Sequence, residues 1–293
     1  MAIELKNVKK SFGKTRALDN VTLTIGGNKI FGLLGNNGAG KSTLYKVITS
    51  RLFASAGSVT LDGQVIRDND AALGQIYMIH ERSYFGGMKF AGYLKWAKRF
   101  YPSFDINKAL ELAEMFKLPT NKNLSTLSTG YRSIYKICAA LAVNTPYLLL
   151  DEPVLGLDAR HREMFYKALL EHYGDNPGNI VLSTHLIDEA AFLIEHCIVI
   201  DNGKIIRDAP AADLLAEGYS VSGLASEVDI FTENRKVLNS TTVGALKTAF
   251  ISGEVPKKAQ LPLGLELGRM SLQEYFVKLV GDGEESSKNG KEG

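Results

Sequence analysis

A glycine-rich run, GNNGAGKST from Gly35 to Thr43, stands between a compact apolar stretch, Ile30 to Leu34, and a stretch of helical spacing, Leu44 to Ile48. Strand, glycine loop and helix in that order constrain the fold more than any other feature. The loop has chemical meaning only where a β-strand delivers it to a helix N-terminus. Gly35, Gly38 and Gly40 let the backbone wrap a phosphate, and with Asn36, Asn37 and Ala39 they make a nest of amides at a positive helix end. Lys41 is suited to neutralise β- and γ-phosphates, Ser42 to hold magnesium, and Thr43 completes the run. A glycine turn alone signifies little; Lys-Ser in this context points to a nucleotide.

The partner such a loop needs lies at 147–152. Tyr147, Leu148, Leu149 and Leu150 form an apolar strand that ends on Asp151 and Glu152. An acid at that end reaches a metal through water, so Asp151 is expected to orient the magnesium shell. Glu152 is expected to polarise the attacking water as a general base.

The 293 residues, 45% of them hydrophobic, suffice for a substantial core in one large or two smaller domains. Thirty-four basic against 32 acidic residues leave a net charge of +2, which gives no electrostatic case for nucleic acid as the main ligand. Cys138 and Cys197 stand singly in apolar segments, without the spacing of a zinc site or a disulfide framework. The first residues lack a leader-like apolar region, and no run approaches the roughly 18 apolar residues of a bilayer span. The expected location is therefore cytoplasmic, with any action at a membrane requiring another protein to dock on.

Apolar alternation predicts strands at Ile3 to Val8, Val21 to Ile25, Ile30 to Leu34, Ser58 to Leu61 and Gln75 to Ile79. From Lys89 to Val143 the spacing turns helical, with Leu94, Ala97, Phe100, Leu110, Ala113, Met115 and Leu118 as the expected faces. Strands at Tyr147 to Leu150 and Ile180 to Ser183, separated by a helix from Ala159 to about Tyr173, predict a parallel α/β sheet. Asn202-Gly203 joins a hairpin, His196 to Asp201 with Lys204 to Arg207. Residues 219–280 are expected to form a small α/β unit: an extended stretch at Tyr219 to Gly223, a helix near Ala225 to Asn234 and a closing helix from Ser271 to Val280. The polar tail, 281–293, is expected to be disordered.

Four further phrases occur in a telling order: LSTGY at Leu127 to Tyr131, DEP at Asp151 to Pro153, GLD at Gly156 to Asp158 and STH at Ser183 to His185. With the glycine loop, they resemble the ATP-binding cassette (ABC) ATPases, LSTGY matching that family's LSGGQ signature. The resemblance implies an α/β fold: a P-loop NTPase (RecA-like) core with an antiparallel β subdomain over 1–84 and 145–218, and a helical signature subdomain over 85–144. The ATPase domain would then cover 1–218, with an accessory unit at 219–280.

ATP and Mg2+ are the implied cofactors. The resemblance also implies a head-to-tail dimer in which Ser128 and the amide of Gly130 contact the γ-phosphate held by the other subunit. Such a contact suits a helix N-terminus. By the same resemblance Asp158 links the two sites, His185 reaches the γ-phosphate, and Phe12 stacks on adenine. Glu152, His185 and Lys41 form the expected catalytic set.

Three positions depart from the family pattern. Thr129 replaces a glycine of the signature and Tyr131 its glutamine, while Ser128 and Gly130 remain. His80 stands where a glutamine would contact magnesium and water; an imidazole is a poor substitute for an amide oxygen, so His80 through a water, or neighbouring Glu81, is the alternative ligand beside Ser42 and Asp151. DEPVLGLDA, STHLIDEA and LSTGYRS look like the Ytr-type ATPase subunits of Gram-positive bacteria. The implied protein is an ATPase subunit of an exporter, peripheral on the inner face of the membrane. Its implied partners are transmembrane permease subunits and an identical or paralogous ATPase subunit. The helical block and the loop from Glu81 to Lys89, with Tyr84 and Phe85, are expected to form the docking groove for a partner's cytoplasmic helix. The alternatives are a non-transport ABC ATPase and a nucleotide-gated regulatory scaffold.

Overall fold

The computed structural model describes residues 1–80, 87–256, 261–277 and 279. Glu81, Tyr84 and Phe85, and the tail 281–293, lie outside the described residues. The chain divides into two compact units, Met1–Leu186 with His196–Asp208, and Ile187–Glu195 with the segment from Ala209 onward.

The first unit begins with β1 (Ala2–Phe12), β2 (Thr15–Gly26), β3 (Ile30–Leu34), α1 (Lys41–Ile48), β4 (Ala56–Leu61), β5 (Gln64–Val65), α2 (Asp70–Leu73) and β6 (Ile76–Ile79). Three helices follow, α3 (Phe90–Phe100), α4 (Ile106–Met115) and α5 (Thr129–Ala140), and then β7 (Tyr147–Asp151), α6 (Ala159–Asp175) and β8 (Asn179–Ser183). Past α7 (Ile187–Ala190), which belongs to the second unit, come β9 (His196–Asp201) and β10 (Lys204–Pro210).

Two sheets organise this unit. One runs β2-β1-β4-β5 and is antiparallel; the other runs β10-β9-β3-β8-β7-β6, with β9, β3, β8, β7 and β6 parallel. Every residue of β3, β7 and β8 is buried, as parallel strands covered on both faces require. In β2 burial alternates instead, Val21, Leu23 and Ile25 pointing inward. These three pack with Ile3, Leu5 and Val8 of β1 and with Leu44, Tyr45 and Ile48 of α1 in one core. That core fixes the start of α1, and with it the glycine loop. Asn202 and Gly203 both take positive φ, 46° and 75°, as the two-residue turn of the β9–β10 hairpin demands.

The helical block forms as the spacing predicts, with a corrected phase. Phe90, Tyr93, Leu94 and Ala97 make the buried stripe of α3, and Ala109, Leu112 and Ala113 that of α4. Phe100, Leu110 and Met115 are exposed. Phe100 lies about 70° from the stripe's centre at 100° per residue, so it meets Trp96 on the rim, ring centroids 4.6 Å apart.

The second unit contains α7, α8 (Ala211–Ala216), β11 (Gly218–Leu224), α9 (Ala225–Thr232), β12 (Val237–Val243), β13 (Leu246–Ser252) and β14 (Glu266–Arg269). Its four strands run β12-β13-β11-β14, and residues 272–277 are helical. Tyr219, Val221, Ala249 and Ile251 pack against Val228 and Phe231 of α9. Three of the four strands escape the sequence reading. β12, LNSTTV after Val237, has no inward-facing apolar series, because all its residues but Leu238 are exposed.

Candidate nucleotide site

The glycine loop leaves β3 and closes on α1. A Cβ on Gly35 would lie 2.5 Å from the carbonyl oxygen of Ile200, so backbone packing admits only glycine there. Gly40 takes φ +117°, and a Cβ on it would meet the Ala17 carbonyl oxygen at 2.7 Å. As N-cap of α1, Gly40 offers no side chain to the amides of the first turn, which are left for an anion. Lys41 Nζ donates to the carbonyl oxygens of Gly35, at 2.5 Å, and Asn36, at 3.2 Å. Burial pulls its pKa below the ordinary 10.5, and the charges of Glu152 and Asp151 oppose that shift.

Asp151 ends β7 and is buried. Its register partner on β8 is Ser183, whose hydroxyl donates to Asp151 Oδ1 at 2.9 Å. Glu152 follows with φ +48°, a conformation that side chains other than glycine seldom adopt. Its amide donates to the carbonyl oxygen and to the hydroxyl of Ser183, both at 3.2 Å. The Glu152 carboxylate meets His185 Nδ1 at 2.8 Å. Thr184 Oγ1 accepts the amide of Leu186 at 3.0 Å, which turns the chain just after the histidine.

Lys41, Ser42, Asp151, Glu152 and His185 thus line one cleft of about 470 Å3. Ser42 and Asp151 bring a hydroxyl and a carboxylate to it, the hard oxygen donors that magnesium takes. Among the described residues no three His, Cys, Asp or Glu side chains group as a metal site. The donor set therefore fits an ion that keeps waters and shares phosphate oxygens, and not one caged by protein. In the β6–β7 register Ile79 pairs with Leu150, so the next residue, His80, comes level with Asp151.

Phe12 lies at the end of β1, opposite Thr15 and 48% exposed, with Lys10 Nζ 5.2 Å from its ring centroid. From the β1–β2 pair it is Ala17 that lines the cleft. Ser128, Gly130 and Asp158 gather elsewhere in this unit. Ser128 caps α5 by accepting the Tyr131 amide at 3.3 Å. Asp158 caps α6, accepting the His161 amide at 2.9 Å, and these bonds hold its carboxyl below the usual range. A Cβ on Gly130 would lie 2.7 Å from the Gly156 carbonyl oxygen, so the signature helix rests directly on the loop ahead of Asp158.

Thr129 fits in place of a glycine because its methyl faces Gly156, which has no side chain. Tyr131 is 37% exposed. Sequence reasoning missed Ser183, Ala17 and Leu155. Ser183 stood in the sequence only as the first residue of STH, with no role attached, and Ala17 and Leu155 carry no signal.

The family model described as ABC transporter matches residues 18–155. The ABC transporter ATP-binding protein YtrB of Bacillus subtilis (strain 168) is 27% identical over 229 residues, covering 78% of each chain. A probable sulfate/thiosulfate import ATP-binding protein CysA of Chlorella vulgaris is 32% identical over 228 residues, 73% of this chain and 93% of that one. Nod factor export ATP-binding protein I of Rhizobium sp. (strain N33) is 26% identical over 307 residues, 96% and 97% of the two chains. The chain spans about half the length of the arabinose import relatives it also matches. A solved dimeric structure of a bacterial ABC transporter cassette superposes with a TM-score of 0.63 at 26% identity, covering 71% of this chain and 98% of that one.

Proposed function

The chain belongs to the ABC transporter ATP-binding family and is its ATP-hydrolysing kind of subunit; from that premise we propose that two cassettes close head to tail on ATP and drive export through membrane permease subunits. The observation that carries the proposal is the division of phosphate-binding groups within one unit. Lys41, Asp151, Glu152 and His185 share a cleft, while Ser128 and Gly130 stand at a separate, exposed helix start. A second cassette supplies the missing half to each cleft.

On this reading the amides of the glycine loop and Lys41 hold the β- and γ-phosphates. Lys41 exchanges its bonds to the Gly35 and Asn36 carbonyls for phosphate oxygens. Ser42 and Asp151 would hold Mg2+, which supplies charge neutralisation on the phosphates. Glu152 accepts the proton of the attacking water, and His185, already bonded to its carboxylate, holds that carboxylate in place. Ser128 and the Gly130 amide of the second cassette bind the γ-phosphate. His80, level with Asp151, is the described candidate for sensing the metal shell through a water. Energy passes to the permease through the difference in stability between closed and open dimers.

Export is favoured by a relative that aligns nearly end to end with this chain and carries an export name. Glu152→Gln decides the catalytic part. Steady-state hydrolysis should fall by about 10²–10⁴, and gel filtration should show a dimer that persists with ATP. A variant that hydrolyses normally, or that stays monomeric with ATP, overturns it. Co-purification of multi-span membrane proteins, with efflux from whole cells, tests permease and direction; uptake would reverse the export reading.

A further inference from the structure

Glu152 needs external support, because its left-handed backbone conformation persists only where neighbours over-determine it. Ser183 of β8 supplies one side of that support through the Glu152 amide. The other side comes from the signature helix. Ser133, 7% exposed and just over a turn past the Ser128 cap, donates its hydroxyl to the Leu155 carbonyl oxygen at 2.7 Å. The Leu155 amide donates to the Glu152 carbonyl oxygen at 3.2 Å, closing the loop.

Two contacts make the junction stiff. A Cβ on Gly130 would lie 2.7 Å from the Gly156 carbonyl oxygen, and the Thr129 methyl would lie 2.9 Å from a Cβ placed on Gly156. We propose that Ser133 is a positioning residue for hydrolysis: it ties the helix whose start engages ATP to the loop that carries Glu152 in the same chain. This rests on the head-to-tail dimer proposed above. A helix moves as a body, so a shift of α5 that brings Ser128 onto a phosphate is transmitted through Ser133 to Leu155, and from there to Glu152. Each cleft is thereby informed whether its own signature helix is engaged at the other cleft. A glycine at 156 lets the pieces approach; the Ser133 hydroxyl makes the connection directional.

Ser133→Ala and Ser133→Thr are the test, read as kcat and KM for ATP, the Hill coefficient and the midpoint of thermal unfolding. Ser133→Ala should lower kcat about tenfold, the factor a lost hydrogen bond of about 1.4 kcal/mol gives. KM should stay within twofold and the Hill coefficient should move toward 1. Ser133→Thr, which keeps the hydroxyl, should recover most of kcat. Wild-type kcat in Ser133→Ala, an unchanged Hill coefficient, or a threonine variant as impaired as alanine would overturn the proposal. Should the alanine variant fail to fold, Ser133→Cys, of like volume and with a weak donor, takes its place with the same outcomes. The ATP-dependent dimer of Glu152→Gln is measured alongside. Its absence sinks the dimer reading, whereas its presence with a normal Ser133→Ala sinks this one alone.

Discussion

Two helix N-termini in the first unit use the same dipole in different ways. α1 begins at a glycine with no side chain to offer its amides, behind a loop whose tip, Asn36 to Gly38, is exposed, and beside the buried Lys41. α5 begins at Ser128, whose hydroxyl oxygen already accepts the Tyr131 amide, on an exposed surface. The first leaves its amides open, as an anion site requires. The second is closed on itself, yet a capping serine still has its own proton to give, so the cap that satisfies the helix also aims a donor outward. The difference teaches that a helix start can be left open by a glycine or closed by its own serine; on the proposed reading the first binds and the second responds.

The largest expected effect lies at the open receptor. Lys41→Ala should lower kcat/KM for ATP by about 10²–10³, as loss of a preorganised charge donor does, while the unfolding midpoint stays near wild type or rises. The midpoint has room to rise because burial already disfavours the lysine's charge. An active Lys41→Ala would break the comparison at its stronger end.

At the responding end Ser128→Ala removes a cap worth about 0.5–2 kcal/mol. Steady-state hydrolysis should fall by about tenfold, and Ser128→Thr should lie between wild type and alanine. If Ser128→Ala loses stability alone, with full ATPase activity at a temperature where it is folded, the serine is only a cap. Gly130→Ala tests the contact beneath it. With the Gly156 oxygen 2.7 Å from the new Cβ, the helix start must shift; the cost should be about 1–3 kcal/mol in chemical denaturation. An unchanged midpoint would show that the junction yields freely.

The smallest effect concerns acid stability. Burial holds His172 of α6 below its ordinary 6.5, only partly offset by its bond to the Leu141 backbone and by Asp175. Between its folded value and 6.5 the unfolded chain binds more protons, so stability is full above 6.5 and falls as the pH drops below it. Melting curves from pH 8 to pH 5 should show wild type losing more than His172→Gln. Parallel profiles would remove His172 from the account.

Much of the first unit is legible in the sequence. Val21, Leu23 and Ile25 alternate visibly, and an apolar run as short as Tyr147 to Leu150 reads as a covered strand, so the glycine loop and the acidic strand end followed from spacing. The phase of α3 was not legible, because Phe100 and Leu94 are equally apolar and only packing puts one on the rim. β12 was hidden for the opposite reason: an edge strand with two exposed faces leaves no periodic mark. Ser133 was hidden too, since a serine inside a helix announces nothing until its acceptor, 22 residues on, is beside it.

By itself the sequence determined the chemistry on offer: glycines where backbone must approach backbone, a lysine for phosphate, and two acids at a strand end. These are local properties, set by residue type and by neighbours a few positions away. Only the tertiary structure decided which of those groups meet. The pairing of β7 with β8 puts the Ser183 hydroxyl on Asp151, and the next turn carries His185 to Glu152. The packing of α5 on the loop at Gly156 joins the signature to the acid. Those contacts span 22 to 33 residues of chain, and nothing short of the folded sheet and its packed helices brings such distant groups within a hydrogen bond.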